Sequence, residues 1–254
     1  MSDLLNTLSI DGPTLVMICA VAFAAAVASG MSGMGGSMIL SIVIAPLIGV
    51  EAIVPTLGVA MLIAHLARVL VYRREVVWPR AFLVTVAAVP SAIVGSMIYA
   101  SLDTGSIAIA IGLFLIGSVP LRRYFQKHAL RLNTPGLIAC SAGFGAISGT
   151  TVGGGVIVIP ILMAAGLFGI HLVATDAVIG LSVLVAKTVT YARFELIGLR
   201  LAILGLLVGL CMIPGTFVAR WLVLRTGVRI HTLMMEALVV AGGILFLWEA
   251  VGGP

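Results

Sequence analysis

The stretch SGMSGMGGSMI, residues 29–39, places a cluster of glycines in the middle of one of the most apolar regions of the chain. A second cluster, SGTTVGGGVI at 148–157, does the same in the other half. Glycine weakens the interior of a helix because it loses more backbone freedom on folding than any other residue. Each apolar region is therefore predicted to form two short helices that meet at a glycine break.

The composition places most of the chain inside a membrane. Of the 254 residues, 61% are hydrophobic and only 9% are charged, whereas a soluble domain carries roughly 25% charged residues. We therefore predict an all-α polytopic membrane protein. The formal net charge of +5 is attributed to basic cytoplasmic loops. Because the chain has no basic patch with interleaved aromatic residues, we predict no nucleic-acid partner.

The lengths of the apolar segments predict how many of them cross the bilayer. A hydrocarbon core of ~30 Å needs ~20 apolar residues in a helix. The segments that meet this requirement are 52–72, 78–101, 104–121, 171–192, 199–224 and 230–250. The glycine-interrupted regions, 13–48 and 136–168, would each give two helices of roughly 12–17 residues, which is marginal for a full crossing. The prediction is about 8–10 segments in all.

Basic residues predict the orientation of these segments. Loops 73–80 and 122–131 are rich in arginine and lysine, so the positive-inside rule places both in the cytoplasm. The N-terminus is acidic and is then expected outside. It has no basic n-region, so we expect no cleaved signal peptide. We expect a multi-pass protein of a bacterial inner membrane.

The second half of the sequence also aligns with the first half when it is shifted by the separation between Arg68 and Lys187. The same offset pairs Ser29 with Ser148, Gly30 with Gly149, Gly35 with Gly154, Gly36 with Gly155 and Tyr72 with Tyr191. We divide the chain into a first repeat (1–121), a basic cytoplasmic loop (122–135) and a second repeat (136–254). Each repeat has a glycine-broken helix pair and three further helices. That is an odd number of net crossings, so the second repeat is predicted to be inverted, as in many secondary transporters.

The inversion predicts that the two glycine breaks meet near the middle of the bilayer. Unwound backbone at that depth is tolerated only where it lines a cavity or is buried in protein. The helix that follows each break would aim free N–H groups and partial positive charge at the cavity, which suits an anion. The candidate anion-binding residues are Ser32, Gly35, Gly36, Ser37, Thr150, Thr151, Gly153, Gly154 and Gly155.

Close helix packing is the alternative role for small residues in a membrane protein. We assign only that role to GAISG at 145–149 and GLLVG at 205–209. The three cysteines lie far apart in apolar segments, so no metal site is predicted, and no cofactor is predicted either.

Four ionisable residues inside the predicted helices are functional candidates. Arg68 and Lys187 lie near opposite faces of the membrane, where they either attract the anion at the two mouths or snorkel to the interface. His65, one turn before Arg68, could carry a coupling proton or be an ordinary core histidine. Asp176 is expected to cap or hydrogen-bond the glycine break rather than to bind a proton. Protons and sodium ions are the coupling ions considered.

The order of these motifs resembles a known family. A glycine cluster followed by VIVIPILMAAGL (156–167) and ATDAV (174–178) is similar to the TauE/SafE sulfite exporter family, and YRREVVWPRA (72–81) resembles a loop of its first half. The resemblance covers about 20–250. The residues that match the family pattern are Gly153, Gly154, Gly155, Pro160, Thr175 and Asp176. In the first half GMGGS departs from the fuller glycine run, and Ser41 replaces a usual proline.

The resemblance implies a permease rather than an enzyme. The implied substrates are small sulfur-containing anions such as sulfite, thiosulfate or organosulfonates, for example sulfoacetate. The implied partners are that anion and the lipid bilayer. Inverted repeats with broken helices, and a basic residue near each mouth, favour a carrier that works by alternating access.

Two other functions are considered. One is an anion channel. The other is a rhomboid-like intramembrane protease, because GMSG (30–33) matches the GxSG motif, with Ser32 as nucleophile and His65 or His171 as base. The motif is short in a chain with 30 glycines, and Thr151 takes the place of Ser32 in the second half. The chain also has more predicted segments than a six-helix protease needs.

Overall fold

The computed structural model describes residues 11–32, 36–128 and 132–223 and the single residues 244 and 248. Within these ranges the chain forms nine α-helices and no strand. They are α1 (Gly12–Ser32), α2 (Gly36–Ile48), α3 (Val50–Tyr72), α4 (Trp78–Ser101), α5 (Thr104–His128), α6 (Thr134–Thr150), α7 (Gly155–Ala164), α8 (Gly169–Arg193) and α9 (Leu199–Val223). The all-α fold class predicted from the sequence is thereby confirmed.

Five helices of the described part are long and apolar enough to cross a membrane: α1, α3, α4, α8 and α9. The shorter apolar helices are α2, α7 and the part of α5 over Thr104–Gly117. The chain is therefore a polytopic membrane protein. α5 continues through His128, so the predicted loop 122–135 begins as helix. The predicted segment 230–250 lies almost entirely outside the described residues.

Both glycine-interrupted regions fold as pairs of consecutive helices, as predicted. The predicted lengths were wrong for α1, which has 21 residues, and for α7, which has 10. α1 is longer than expected because Gly30 lies inside the helix rather than at its end. The break before α7 contains Gly153, whose φ of 84° is a left-handed conformation that favours glycine.

Glycines inside the helices mark close crossings. Gly30 of α1 faces Ala219 of α9, and Gly149 of α6 faces the α4 backbone near Ser96. A Cβ atom at Gly209 would lie 2.9 Å from a backbone oxygen of α3. The packing role predicted for GAISG and GLLVG is confirmed by these contacts. The glycines of the SG dipeptides therefore serve helix packing, whereas Gly153 lies in the break before α7.

The contacts between α3 and α8, which occupy equivalent positions in the two halves, run in opposite directions. Gly58 lies next to Thr188, whereas Arg68 pairs with Asp176. In addition, α1 packs on α9 and α6 packs on α4, so the first helix of each half contacts the fourth helix of the other. An inverted repeat would give this antiparallel, reciprocal packing, and the inverted repeat itself stays a prediction.

Hydrogen bonds between helix ends show which ends lie at the same face of the protein. The Tyr99 hydroxyl donates to the Glu51 carbonyl oxygen at 2.7 Å, so the start of α3 and the end of α4 share one face. The Arg220 Nη1 donates to the Val71 carbonyl oxygen at 2.9 Å, so the ends of α3 and α9 share the other. That second face carries the turn at 73–77, which its arginines predict to be cytoplasmic.

The start of α5 is capped by an acidic residue at the first of these faces. Asp103 accepts hydrogen bonds from the Ser106 hydroxyl at 2.7 Å and the Ser106 backbone N–H at 3.1 Å. These bonds lower the pKa of Asp103. A carboxylate at this position satisfies an unpaired helix N–H group and complements the helix dipole.

Candidate functional site

A cavity lies between the two helix pairs and the central helices α3 and α8. Its volume is about 70 Å³, several times the roughly 10–15 Å³ that one water molecule needs. The polar and glycine residues of the lining are Ser29, Gly36, Ser37, Gly58, His65, Arg68, Ser148, Thr151, Gly153, Gly154, Gly155, Asp176, Gly180 and Lys187. Both GG clusters therefore contribute to one cavity.

Arg68 of α3 is the first cation of this cavity. Its side chain is 6% exposed, so it does not snorkel to the interface. Nη1 lies 3.4 Å from the Asp176 Oδ2 atom, and Nη2 donates to the Ser29 Oγ atom at 3.1 Å. Nε is buried, and no described residue accepts a hydrogen bond from it. An unpaired guanidinium N–H in a buried site leaves donor capacity for an anion.

Lys187 of α8 is the second cation, and the residue as a whole is 4% exposed. Its Nζ atom donates to the carbonyl oxygens of Ser148 at 2.8 Å and Thr151 at 3.1 Å. Nζ also lies 5.7 Å from the centroid of the Tyr191 ring. A lysine ammonium has three donors, so one N–H remains beyond the two carbonyl bonds.

The two cations stand at opposite ends of the cavity. Arg68 contacts Asp176, and Lys187 lies further along the same helix α8. At 1.5 Å per residue, Asp176 and Lys187 are roughly 16 Å apart along the helix axis. The sequence placed one basic residue near each mouth, and the structure places both in the wall of a single cavity.

The surroundings of the two cations repeat at the sequence offset. Arg68 bonds to Ser29 and Lys187 bonds to Ser148, and in each case the partner lies 39 residues earlier in the chain. Both serines stand near the end of the first helix of a broken pair. Each half therefore ties its first helix to the basic residue of its third helix.

Asp176 occupies a different place from the one expected. It was predicted to cap or hydrogen-bond the glycine break, but its carboxylate pairs with Arg68 of the other half at 3.4 Å. The residue is 2% exposed. The expectation failed because the break at 151–154 is held by Lys187, through the Thr151 carbonyl oxygen. At the repeat offset, Asp176 corresponds to the apolar residue Leu57 in the first half. The cavity therefore has a carboxylate at the Arg68 end, with an apolar side chain at the equivalent position of the other half.

The first turns of α2 and α7 face the cavity through Gly36, Ser37 and Gly155. The break before α7 lies against α2, since a Cβ atom at Gly153 would lie 2.5 Å from the Met38 Cε atom. The second break therefore lies against the first turns of α2. Gly35 and the side chain of Ser32 lie outside the described residues.

Thr150 and Thr151 differ in their position relative to the cavity. Thr151 lines the cavity, and its hydroxyl donates to the Ile147 carbonyl oxygen at 2.8 Å. Thr150 is not part of the lining, and its hydroxyl donates to the same carbonyl oxygen at 3.0 Å. Both hydroxyl groups therefore donate their hydrogen to the backbone of α6.

Comparison with known families agrees with this geometry. The family model described as sulfite exporter TauE/SafE matches residues 18–246 of the chain. The chain belongs to the TauE/SafE family. No curated protein and no solved structure matches it. The resemblance derived from the sequence is confirmed, and this TauE/SafE protein is a membrane protein of an exporter family.

The two histidines considered from the sequence differ in position. His65 lines the cavity of this TauE/SafE protein, with Nδ1 3.3 Å from the Ala177 carbonyl oxygen. Its ring lies against Gly180, where a Cβ atom would collide with it. His171 is exposed, and its Nδ1 lies 2.8 Å from the Glu75 carbonyl oxygen at the predicted cytoplasmic face. His171 is therefore a link between α8 and the turn after α3.

Sequence reasoning missed Ser29 and Ser148 as site residues. Both were recognised only as the first members of the repeated SG dipeptides. The signal that could have found them is the offset itself, which pairs the two serines as it pairs Arg68 with Lys187. Phe144 also lines the cavity, and nothing in its local sequence distinguishes it from other apolar residues.

The charges that line the cavity of this TauE/SafE protein favour an anion. Within the described lining, two cations and one carboxylate leave an excess of positive charge, and the N-termini of α2 and α7 add partial positive charge. Among the described residues no group of three or more His, Cys, Asp or Glu side chains could hold a metal ion. The described part of the site offers hydrogen-bond donors and small backbone surfaces, which suit binding and release of a small anion.

Proposed function

We propose that this protein is a secondary transporter for small sulfur-containing anions such as sulfite, thiosulfate or organosulfonates, including sulfoacetate. The anion binds in the cavity between the two glycine breaks. The observation that carries the proposal is the buried guanidinium of Arg68, which lines this cavity and whose Nε atom has no hydrogen-bond partner among the described residues. Buried polar groups are nearly always hydrogen-bonded, so an unpaired donor beside a cavity supports a ligand there.

The donor set suits the oxygens of a sulfite or sulfonate group. The planar guanidinium of arginine can donate two parallel N–H hydrogen bonds to an oxyanion, and lysine adds a compact point charge. The glycines let the anion approach the backbone at the starts of α2 and α7, because glycine has no Cβ. The small volume of the cavity, about 70 Å³, favours a small anion.

The arrangement of the cations supports alternating access. Arg68 stands towards the face that carries the turn at 73–77, and Lys187 stands towards the opposite face. Each is tied to a different broken helix pair. A rocking movement of one repeat against the other would expose one cation at a time, as inverted repeats allow. The anion would pass from one cation to the other across the glycine breaks.

Equilibrium binding tests the proposal. Purified protein would be titrated with sulfite, thiosulfate, sulfoacetate, taurine and chloride by calorimetry. We expect selective binding of a sulfur anion, weakened about 10- to 100-fold in Arg68→Gln, because hydrogen bonds to charged groups contribute about 1.5–3 kcal/mol. Arg220→Gln is the matched control, since Arg220 also lies near a carboxylate, 3.6 Å from Glu75, but does not line the cavity.

Two outcomes would overturn this proposal. One is unchanged affinity in Arg68→Gln. The other is an absence of binding by every anion, together with Ser32-dependent cleavage of a transmembrane peptide, which would favour the intramembrane protease. Conductance steps in a planar bilayer would favour the channel instead.

A further inference from the structure

The Arg68–Asp176 pair joins the two halves of the protein inside the cavity. The side chains are 6% and 2% exposed, so neither charge is screened by bulk water. Both residues line the cavity. An anion that reaches this end of the cavity therefore meets a guanidinium that is already engaged by a carboxylate.

We infer that Asp176 takes up a proton from solvent when the anion binds to Arg68, so that anion and proton move together through the protein. The inference rests on the proposed function, because it concerns the same cavity. The proton adds to an oxygen of the Asp176 carboxylate and leaves when the anion leaves. No bond of the anion is made or broken.

The reason is competition between two negative charges for one guanidinium. Two carboxylate-like groups that share a buried site cannot both remain ionised at low cost, since like charges at close range disfavour each other's charged form. Protonation of Asp176 removes the repulsion, frees Nη1 of Arg68 and supplies an O–H donor for the anion. Anion binding and proton binding then favour one another, and this linkage is reciprocal.

The other charged and titratable groups of the described cavity do not replace Asp176 as the proton acceptor. α3 brings His65 and Arg68 into the cavity, and α8 brings Lys187, roughly 16 Å from Asp176 along the helix. The described parts of α1, α2, α6 and α7 that line the cavity contribute serines, a threonine, glycines and apolar side chains, and α4 contributes no lining residue. On the turn after α3, Glu75 lies near Arg220 and His171.

His65 is the other group that could titrate here, and its geometry differs. Its Nδ1 atom lies 3.3 Å from the Ala177 carbonyl oxygen and its ring is held against Gly180. A carbonyl oxygen only accepts hydrogen bonds, so Nδ1 carries the hydrogen. An anion in the cavity would also stabilise a protonated His65, since the residue lines the same cavity, and the His65→Gln variant separates that contribution from the contribution of Asp176.

Proton uptake can be counted directly. The purified full-length protein would be titrated with thiosulfate, which keeps the same charge across the neutral range, in two buffers of different ionisation enthalpy. We expect the wild type to take up about one proton per anion and to bind more tightly as the pH falls. Asp176→Asn should bind thiosulfate at least as tightly, with no proton uptake and no dependence on pH. His65→Gln is the control and should keep the proton uptake.

Wild-type protein in liposomes gives a second measurement that does not depend on a variant. An inward pH gradient, acidic outside, should accelerate thiosulfate uptake. Thiosulfate binding without proton uptake in the wild type, or proton uptake that persists in Asp176→Asn, would overturn this inference and leave the proposed function standing. Absence of thiosulfate binding altogether would count against both.

Discussion

Arg68 and Lys187 each bond to the serine that lies 39 residues earlier in the chain, Arg68 to Ser29 and Lys187 to Ser148. The two cations are thus equivalent members of a repeated unit, and both line one cavity. Their surroundings differ as well, because Arg68 pairs with the Asp176 carboxylate, whereas the described partners of Lys187 are the Ser148 and Thr151 carbonyl oxygens and the Tyr191 ring.

The two cations should act on different sides of the membrane. In proteoliposomes of known orientation, Arg68→Gln should raise the KM for sulfite mainly from the face that carries the turn at 73–77. Lys187→Gln should raise it mainly from the opposite face. We expect changes of about tenfold, the effect of losing one charged hydrogen bond. Equal effects of both variants from both faces would argue against alternating access between two ends.

Space at the second glycine break should control affinity. Gly154 has φ −50°, so alanine can adopt its backbone conformation, but a Cβ atom there would lie 2.7 Å from the Ser148 Oγ atom. We expect Gly154→Ala to weaken anion binding about tenfold or more, because the cavity wall must shift. The matched control is Gly143→Ala, since a Cβ atom there meets nothing within 4 Å. Equal affinities in calorimetry would show that the break does not contact the anion.

The equivalent tyrosines provide a test of stability. The Tyr191 hydroxyl donates to the Gly149 carbonyl oxygen, whereas the Tyr72 hydroxyl is buried without a partner in the described part of the chain. Tyr191→Phe should destabilise the protein by about 1 kcal/mol, the usual contribution of one hydrogen bond. Tyr72→Phe should be neutral or slightly stabilising, because it removes an unsatisfied polar group. Thermal unfolding in one detergent compares the pair, and the reverse order would contradict the assigned hydrogen bonds.

The crossing of α4 and α6 should tolerate no side chain at Gly95. A Cβ atom there would collide with the backbone of Ala146, so Gly95→Ala should cost about 1–3 kcal/mol through overpacking. Gly117→Ala in α5, where a Cβ atom meets nothing within 4 Å, should be neutral or slightly stabilising. The midpoints of thermal unfolding of the two variants measure this difference in stability. A stabilised Gly95→Ala variant would mean that the two helices are not in close contact at this crossing.

Local patterns in the sequence were sufficient to predict much of this fold. The length of apolar runs predicted α3, α4, α8 and α9 nearly to their ends, because membrane thickness sets the length of a helix. Both helix breaks were predicted because GG clusters are costly inside a helix. The offset between Arg68 and Lys187 indicated that they are equivalent, and the structure places both in the same cavity.

Contacts between the halves could not be predicted in this way. Arg68 and Asp176 are 108 residues apart in the chain, and no local period or offset relates them. The sequence therefore indicated a local capping role for Asp176. Gly30 was read as part of a break because a glycine at a helix crossing and a glycine at a helix end look alike in sequence. Only the neighbouring helix, here Ala219 of α9, distinguishes the two.

The most direct test of the central claim is exchange of radiolabelled sulfite across proteoliposomes. The protein should catalyse saturable exchange that is inhibited by thiosulfate. Gly154→Leu should abolish the exchange, because its side chain would fill the cavity beside Ser148 and Phe144. Gly143→Leu, which adds the same side chain where no atom lies near, should retain it. Equal exchange by Gly154→Leu and the wild type would contradict a transport pathway through the glycine breaks.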